Sequence, residues 1–311
     1  MKSRKLDARQ TSSRRPTIGF LGAATPQIWG AYVEAFEKRL RELGWKNGST
    51  VAIDYRWAKG NPKAYASIAR DFVKDGVDII VTSGTGPTLA AKKATRTIPI
   101  VFATAGDPVG TKLVKSLKRP GRNVTGQSNG QTELAGRRLD QLHKIVPDLQ
   151  RLAIVGDANN HNVALEIGQI KKRARQLNIA TTVHDTDGDH EIAPLIKSLR
   201  GGAQAIFVCT DPTRTTHQKI VHKEALSIRL PTVHAFKNYV EMGGLISYGP
   251  DIPAMFRRAA EIVDRILRGK KPGDIPVKVQ KKFELAINMT TAQKLGLTIP
   301  QAVTRHATIV Y

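Results

Sequence analysis

The chain states one pattern twice, and that duplication constrains its fold more than any other feature. A strand-like run, TIGFLG (Thr17 to Gly22), opens the first half, and a run of the same character, RLAIVGD (Arg151 to Asp157), opens the second. Three more short apolar runs follow in each half. They are VAIDYRW, DIIVTSG and IPIVFAT in the first, and ATTVHDT, AIFVCTD and PTVHAF in the second. Helical patterns lie between them. GAYVEAFEKRLREL (Gly30 to Leu43) carries Tyr32, Val33, Phe36 and Leu40 at helical spacing. AYASIARDFVK reaches the third strand through Asp75-Gly76, and EIAPLIKSLR reaches its counterpart through Gly201-Gly202. Strands alternating with helices of this length predict βαβ units and parallel sheets covered on both faces. The expectation is an α/β protein of two Rossmann-like lobes with a cleft between them.

A chain of 311 residues can bury two cores. It has one cysteine, Cys209, so no internal disulfide forms, and its apolar neighbours predict a core thiol. The 49 Lys and Arg against 26 Asp and Glu give a formal charge of +23, which raises the question of nucleic acid. The basic residues are spread along the chain. There is no helix-turn-helix before the first strand, no zinc-ligand spacing and no RNA-binding aromatic motif, so no nucleic-acid partner is expected. The first 15 residues are polar and basic and predict a disordered tail. No secretory apolar stretch precedes Thr17, and no run approaches the roughly 20 residues that span a bilayer.

Two stretches are read as crossings between lobes: RPGRNVTGQSNG (Arg119 to Gly130) and FKNYVEMGGLISYG (Phe236 to Gly249). A helix from Ala254 to Arg268, a turn at KKPGDIP, a strand KFELAIN, a helix TTAQKLGL and a tail follow. The resulting division places residues 16–124 with about 240–280 in lobe 1, and 125–239 with about 281–311 in lobe 2.

Ligands of parallel sheets bind beyond the carboxyl ends of the strands. The loops there are Gly22 to Pro26, Ser83 to Pro87, Ala105 to Pro108, Asp157 to Asn160 and Thr210 to Thr213. Four of the five place a small or capping residue before a proline, a helix-start signal. Helix starts aim unpaired N–H groups and a positive dipole at the cleft, where a carboxylate can be held without a cationic side chain. Ser83 and Thr85 add hydroxyls, and Gly84 and Gly86 allow close approach. The alternative reading is that Thr25, Thr85, Asp107 and Asp211 only cap their own helices. No P-loop, Gly-x-Ser-x-Gly elbow or His-x-x-x-His pair occurs, and Asp157 and Asp211 have no nucleophile–base relay beside them, so neither catalysis nor a metal or other cofactor is expected. His161, His217 and His234 fall near strand ends and are either ligand contacts or structural histidines. Trp29 and Tyr32 near the first loop, and Tyr239 and Tyr248 around the second crossing, are candidate partners for a ring-bearing ligand.

The segments PTIGFLGAATP, GVDIIVTSGTGPTLAAKKATRTIPIVFATAGDPV, KSLKRPGRNVTG, YVEMGGLISYG, RRAAEIVDRILRGKKPGDIPV and KFELAINMTTAQKLGLTIP run in the order of a known family. The chain resembles the ABC-transporter substrate-binding proteins of the tryptophan/tyrosine type, with the type I periplasmic binding fold. That resemblance implies two lobes on a three-segment hinge that close on a small ligand, present it to the permease of an ABC importer, act as a monomer outside the cytoplasm and catalyse nothing. Members normally carry a secretion signal and none is visible here, so either the native start lies upstream of Met1, the favoured expectation, or this member stays inside the cell. The resemblance implies an amino-acid ligand, often aromatic. Its contacts are expected from Thr25, Gln27, Trp29, Ser83, Gly84, Thr85, Ala105, Asp107, Asn129, Asn159, Asn160, Asp211, His234 and Tyr248. Ser83 and Thr85 are expected on the carboxylate, Asp211 on the ammonium or a hydroxyl, and Trp29 and Tyr248 at the side-chain end. The runner-up is a ligand-sensing regulatory domain of the same fold, which 15 polar residues cannot equip with a DNA-binding headpiece.

Overall fold

The computed structural model describes residues 14–158, 160–185, 192–210 and 217–311. In chain order the first sheet takes β1 (Thr17–Gly22), β2 (Ala52–Trp57), β3 (Ile79–Thr82), β4 (Ile100–Ala105) and β5 (Val124–Ser128), with α1 (Pro26–Glu42), α2 (Pro62–Lys74) and α3 (Thr85–Ala94) between them. The second opens with α4 (Gln131–Ile145) and runs β6 (Arg151–Val155), α5 (His161–Gln176), β7 (Ala180–His184), α6 (Ile192–Ser198), β8 (Ala205–Val208), α7 (Gln218–Ser227), β9 (Thr232–His234), α8 (Lys237–Glu241) and β10 (Ile246–Pro250). The chain then returns to the first sheet with α9 (Ile252–Leu267) and β11 (Lys278–Val279), and ends on the second with β12 (Phe283–Asn288), α10 (Met289–Leu295), α11 (Gln301–Thr304) and β13 (Ala307–Val310). The strand orders are β11-β5-β4-β3-β1-β2 and β13-β12-β10-β9-β8-β6-β7.

Among the described residues every pairing is parallel except β10 with β12. The two stretches read from sequence as crossings each contain a strand, β5 and β10. The chain passes between sheets just after each, at Asn129-Gly130 and Pro250-Asp251, and a third time at Gln280 to Lys282. Gly130 turns the first crossing in the left-handed region, φ 63°, and Asp251 starts α9 by accepting from the N–H of Ala254. The C-terminal tail also holds a strand: four residues of β13 pair with β12, too short a run to show a period.

Each sheet is covered on both faces, which is why inner strands such as β3, β4 and β8 are almost continuously apolar. On the first sheet, α1 and α9 pack over one face, and α2 and α3 cover the other. Trp29, Val33, Phe36 and Leu40 form the buried stripe of α1. Phe20 of β1 sits beneath that stripe, its ring 6.2 Å from Phe36, 5.7 Å from Trp57 and 6.4 Å from Phe256 of α9. On the second sheet, α4 and α5 cover one face, α6 and α7 the other, and Cys209 is buried as a core thiol.

Phe20 is fully buried and joins helices drawn from the two ends of the chain. Phe20→Ala is expected to cost about 3–5 kcal/mol, as transfer loss plus an unfilled cavity. Equilibrium unfolding in denaturant reads this as a lower midpoint at unchanged slope.

Candidate functional site

The C-terminal ends of strands from both sheets face one cavity of about 620 Å³. The first sheet supplies Ser83 to Gly86 after β3, Thr104 to Gly106 after β4, Trp29 of α1, and a wall from α2 and α3 that includes Tyr65, Arg70, Leu89 and Lys93. The second sheet supplies Asp157, Asn160, His161 and Asn162 around the start of α5, Thr210 after β8 and Phe236 after β9. Asn129 and Gln131 line it from the first crossing. The exposed wall is mostly apolar, with polar side chains from both sheets set into it, as in small-ligand sites.

Local geometry explains the polar part. Gly84 takes φ 96° as the residue before α3, a conformation that favours glycine. The turn sends its N–H to the carbonyl of Thr104 at 2.8 Å, and Thr88 Oγ1 back-bonds to its carbonyl at 2.6 Å. The opening N–H groups of α3, at Thr85 and Gly86, have no intrahelical acceptor and lie on the cavity. Ser83 Oγ meets Thr104 Oγ1 at 3.1 Å, and Thr85 Oγ1 accepts from Gly106 N–H at 3.4 Å. Across the cavity α5 begins at His161, with Asn160 as its cap accepting from the N–H of Asn162. Two helix starts, one from each sheet, therefore aim positive ends into one space.

The halves touch across it. A Cβ built on Gly106 would lie 2.0 Å from Oδ1 of Asn162, so the absence of a side chain at 106 is what seats Asn162 against the first-sheet loop. Asn162 is 6% exposed, and among the described residues its Oδ1 has no hydrogen-bond partner.

Behind the second-sheet wall lies a fully buried ion pair, Arg138 of α4 with Glu166 of α5. Glu166 also accepts from Gln131 Nε2 at 2.8 Å and from the backbone N–H of Thr210 at 3.0 Å, and Arg138 Nε donates to the Tyr248 carbonyl at 2.9 Å. Burial lowers the guanidinium from its ordinary value, and Glu166 opposes that shift. The pair thus fixes two residues that line the cavity.

Of the residues expected from sequence, Trp29, Ser83, Gly84, Thr85, Ala105, Asn129 and Asn160 line the cavity. Asn159 and Asp211 lie outside the described residues. The other five sit elsewhere. Thr25 precedes α1 without a side-chain cap bond, and Gln27 is solvent-exposed. Asp107 starts no helix; its carboxylate accepts from the N–H groups of Val109 and Gly110 and closes a turn. Tyr248 on β10 packs against the second core with its ring tilted 49° to that of Phe283. His234 is wholly buried, with Nε2 at 2.9 Å from Thr232 Oγ1 and 3.2 Å from His222 Nε2. His217 precedes α7 and does not line the cavity. Sequence reasoning passed over Tyr65, Asn162 and Phe236. Asn61-Pro62 carries the same cap-and-proline signal as the loops that were read, and Asn61 accepts from Lys63 N–H to start the helix bearing Tyr65.

Residues 29–311 match the family of ABC transporter substrate binding proteins, and the chain belongs to that family. It is a solute-binding protein rather than an enzyme. The fold is that of type I periplasmic binding proteins. The chain is similar to a tyrosine-binding protein of Clostridioides difficile strain R20291, at 29% identity over 85% of this chain and 76% of that one. It is similar to an ABC domain from Streptococcus pneumonia in complex with L-Trp, with a TM-score of 0.89 at 26% identity, covering 96% of this chain and 100% of that one. It is also similar to the ligand-free, open structure of a substrate binding protein with adhesive properties from Clostridium difficile, with a TM-score of 0.69 at 26% identity over 95% and 99%.

Two outcomes follow from the geometry. Burial holds His222 down to about 4 and His234 well below the ordinary histidine value, with His222 and Arg138 adding to the latter. Both are neutral when folded, while the unfolded chain takes up protons near pH 6.5. Stability is therefore full above about pH 6.5 and falls as the pH drops toward 4, and His222→Gln flattens the decline in a series of thermal melts. Separately, Gly106→Ala displaces Asn162 and parts the two halves there. Small-angle scattering is expected to show a larger radius of gyration for the ligand-free variant, with a melting midpoint close to that of the parent.

Proposed function

We propose that this chain is the extracytoplasmic receptor of an ABC importer and that it takes a small amino acid, aromatic or branched, or an aromatic acid, in the cavity between the two sheets. The supporting observation is the convergence of two helix starts and the hydroxyls of Ser83 and Thr85 on one apolar chamber of about 620 Å³. A carboxylate sits against Ser83, Thr85 and the first N–H groups of α3, where charge-assisted hydrogen bonds are strongest. Asp157, the one carboxylate among the described lining residues, receives the ammonium group. Tyr65, Trp29 and Phe236 surround the side chain. Tyr65 and Phe236 take the place that the sequence reading gave to Tyr248.

Two bodies move in this reading: residues 14–129 with 251–279, and 131–250 with 281–311. The chain superposes better on the relative holding L-Trp than on the ligand-free, open one at the same 26% identity. With Asn162 seated on Gly106, this supports a closed arrangement of the halves. Closure over a ligand would then present both lobes to a permease, which is the remaining partner the family implies. Among the described residues no helix is long and apolar enough to cross a membrane, so translocation itself falls to that partner.

Calorimetry with L-Tyr, L-Trp, L-Leu and benzoate tests the proposal. Saturable binding of an aromatic or branched member is expected, and the paired change Ser83→Ala with Thr85→Val should weaken it by about 1.5–3 kcal/mol, the scale of hydrogen bonds to a charged group. Failure of every compound to bind, or affinity unchanged in the variant, refutes the carboxylate assignment.

A further inference from the structure

One flank of the first sheet is built almost entirely from positive charge. Residues 86–124 hold eight basic side chains and a single acid, Asp107. Six of the basic residues, Lys92, Lys93, Arg96, Lys112, Lys115 and Arg122, line two adjoining depressions of about 400 and 330 Å³ that share Lys92 and Arg122. Lys118 and Arg119 are exposed on the same loop. Among the described residues none of the six forms an ion pair. Asp107 spends its carboxylate on the turn at Val109-Gly110, and Asp274 is the acid on the neighbouring turn that Gly121 bonds through Gly273.

The loop is held firmly while its charges stay free. Lys115 N–H donates to the Pro120 carbonyl, Ser116 Oγ to that of Arg119, and Lys92 Nζ to that of Lys112. Burial lowers Lys92 from its ordinary value, and the nearby Arg122 adds to that shift. At the rim stands Val109, 41% exposed and one of three large exposed hydrophobics among the described residues. An unpaired basic surface around one protruding aliphatic side chain matches an anionic lipid bilayer: phosphate headgroups for the lysines and arginines, the acyl boundary for the valine. Nucleic acid fits less well. Single strands need aromatic platforms, and the one aromatic of this segment, Phe102, is buried in β4.

We infer that the surface formed by the C-terminal turn of α3 and the 107–123 loop is an electrostatic docking face for anionic phospholipid membrane, which holds the receptor at a bilayer. The inference is independent of the ligand assigned above. It separates a local device from the general charge of +23, which by itself would attract anions from every side.

The test is flotation of the full chain with vesicles of phosphatidylcholine alone and with about one-third phosphatidylglycerol, across a salt series. The expected result is binding to the anionic vesicles alone, weakening steadily with salt. The triple reversal K112E/K115E/R122E should lower the partition coefficient by at least about a hundredfold, given the contribution of each basic residue at such a surface. The matched reversal K171E/K172E/R175E on the exposed side of α5 should change it by less than about threefold. The neutral set K112Q/K115Q/R122Q gives the same ranking if the reversal fails to fold. Equal losses from both reversals, or no binding to anionic vesicles at physiological salt, overturn the inference. So does capture of duplex DNA as tight as that of vesicles and equally sensitive to the same three residues.

Discussion

The second half of the cavity depends on one buried interaction, the Arg138–Glu166 pair. Two charges enclosed in a protein are costly unless every lone pair and proton finds a partner. Here the carboxylate has three donors from two elements: the guanidinium of Arg138 and the amide of Gln131, both on α4, and the backbone N–H of Thr210 after β8. The guanidinium in turn reaches the carbonyls of Tyr248 and Gln131. Removing either member strands the other in a dry interior, so α4, α5, β10 and the loop after β8 can occupy only one mutual arrangement. Hydrophobic packing alone would tolerate small slips among these elements. The loop that carries Thr210 into the cavity is positioned by a buried carboxylate that does not itself line the cavity.

The first half is positioned by a different device, backbone conformation. Gly84 adopts a left-handed φ, and its neighbours Thr85 and Gly86 open α3 toward the cavity. The hydroxyls beside them are already paired, Ser83 with Thr104 and Thr85 with Gly106, so their orientations are set before a ligand arrives. Preset donors lower the ordering cost of binding. One lobe is thus fixed by glycine geometry and short hydrogen bonds, and the other by a buried charge network. The two meet where Gly106 makes room for Asn162.

The duplicated strand pattern made the two sheets legible, because continuously apolar runs separated by amphipathic helices have few other solutions. The loops after β3, β4 and β6 were legible for the same reason, since topology places strand ends at the cleft. What was hidden depends on direction. Asp107 carries the cap-and-proline signature of a helix start, but its carboxylate is consumed by the turn to Gly110 and no helix forms. His234 ends a strand as expected, yet its side chain points into the second core and bonds His222. Strand parity, which decides this, cannot be fixed from a strand of three residues. The stretches read as crossings also hold strands, Val124–Ser128 and Ile246–Pro250, which glycine, serine and proline hide by diluting their apolar content; hydrogen bonding to β4, and to β9 and β12, makes them strands. Glu166 carries no signal in the sequence, and only its partners on α4 and after β8 reveal its place.

The large positive charge and the composition of the cavity act at different ranges. Charges on the surface are screened over roughly 8 Å at physiological ionic strength, so most of the 49 basic residues scarcely reach a ligand enclosed between the sheets. Only Arg70 and Lys93 line the chamber among the described Lys and Arg, and both are exposed residues on its α2–α3 side. Inside, helix starts, hydroxyls and Asp157 act at contact distance in a medium of lower dielectric, where each is worth more than it would be in water. Global charge can therefore draw an anionic ligand or surface toward the molecule, while selection among ligands falls to a handful of fixed dipoles. A basic receptor need not bind an acidic solute. In the proposed reading a zwitterion suits the chamber better, because its carboxylate would answer the helix starts and its ammonium would answer Asp157, the one acid on the wall among the described residues.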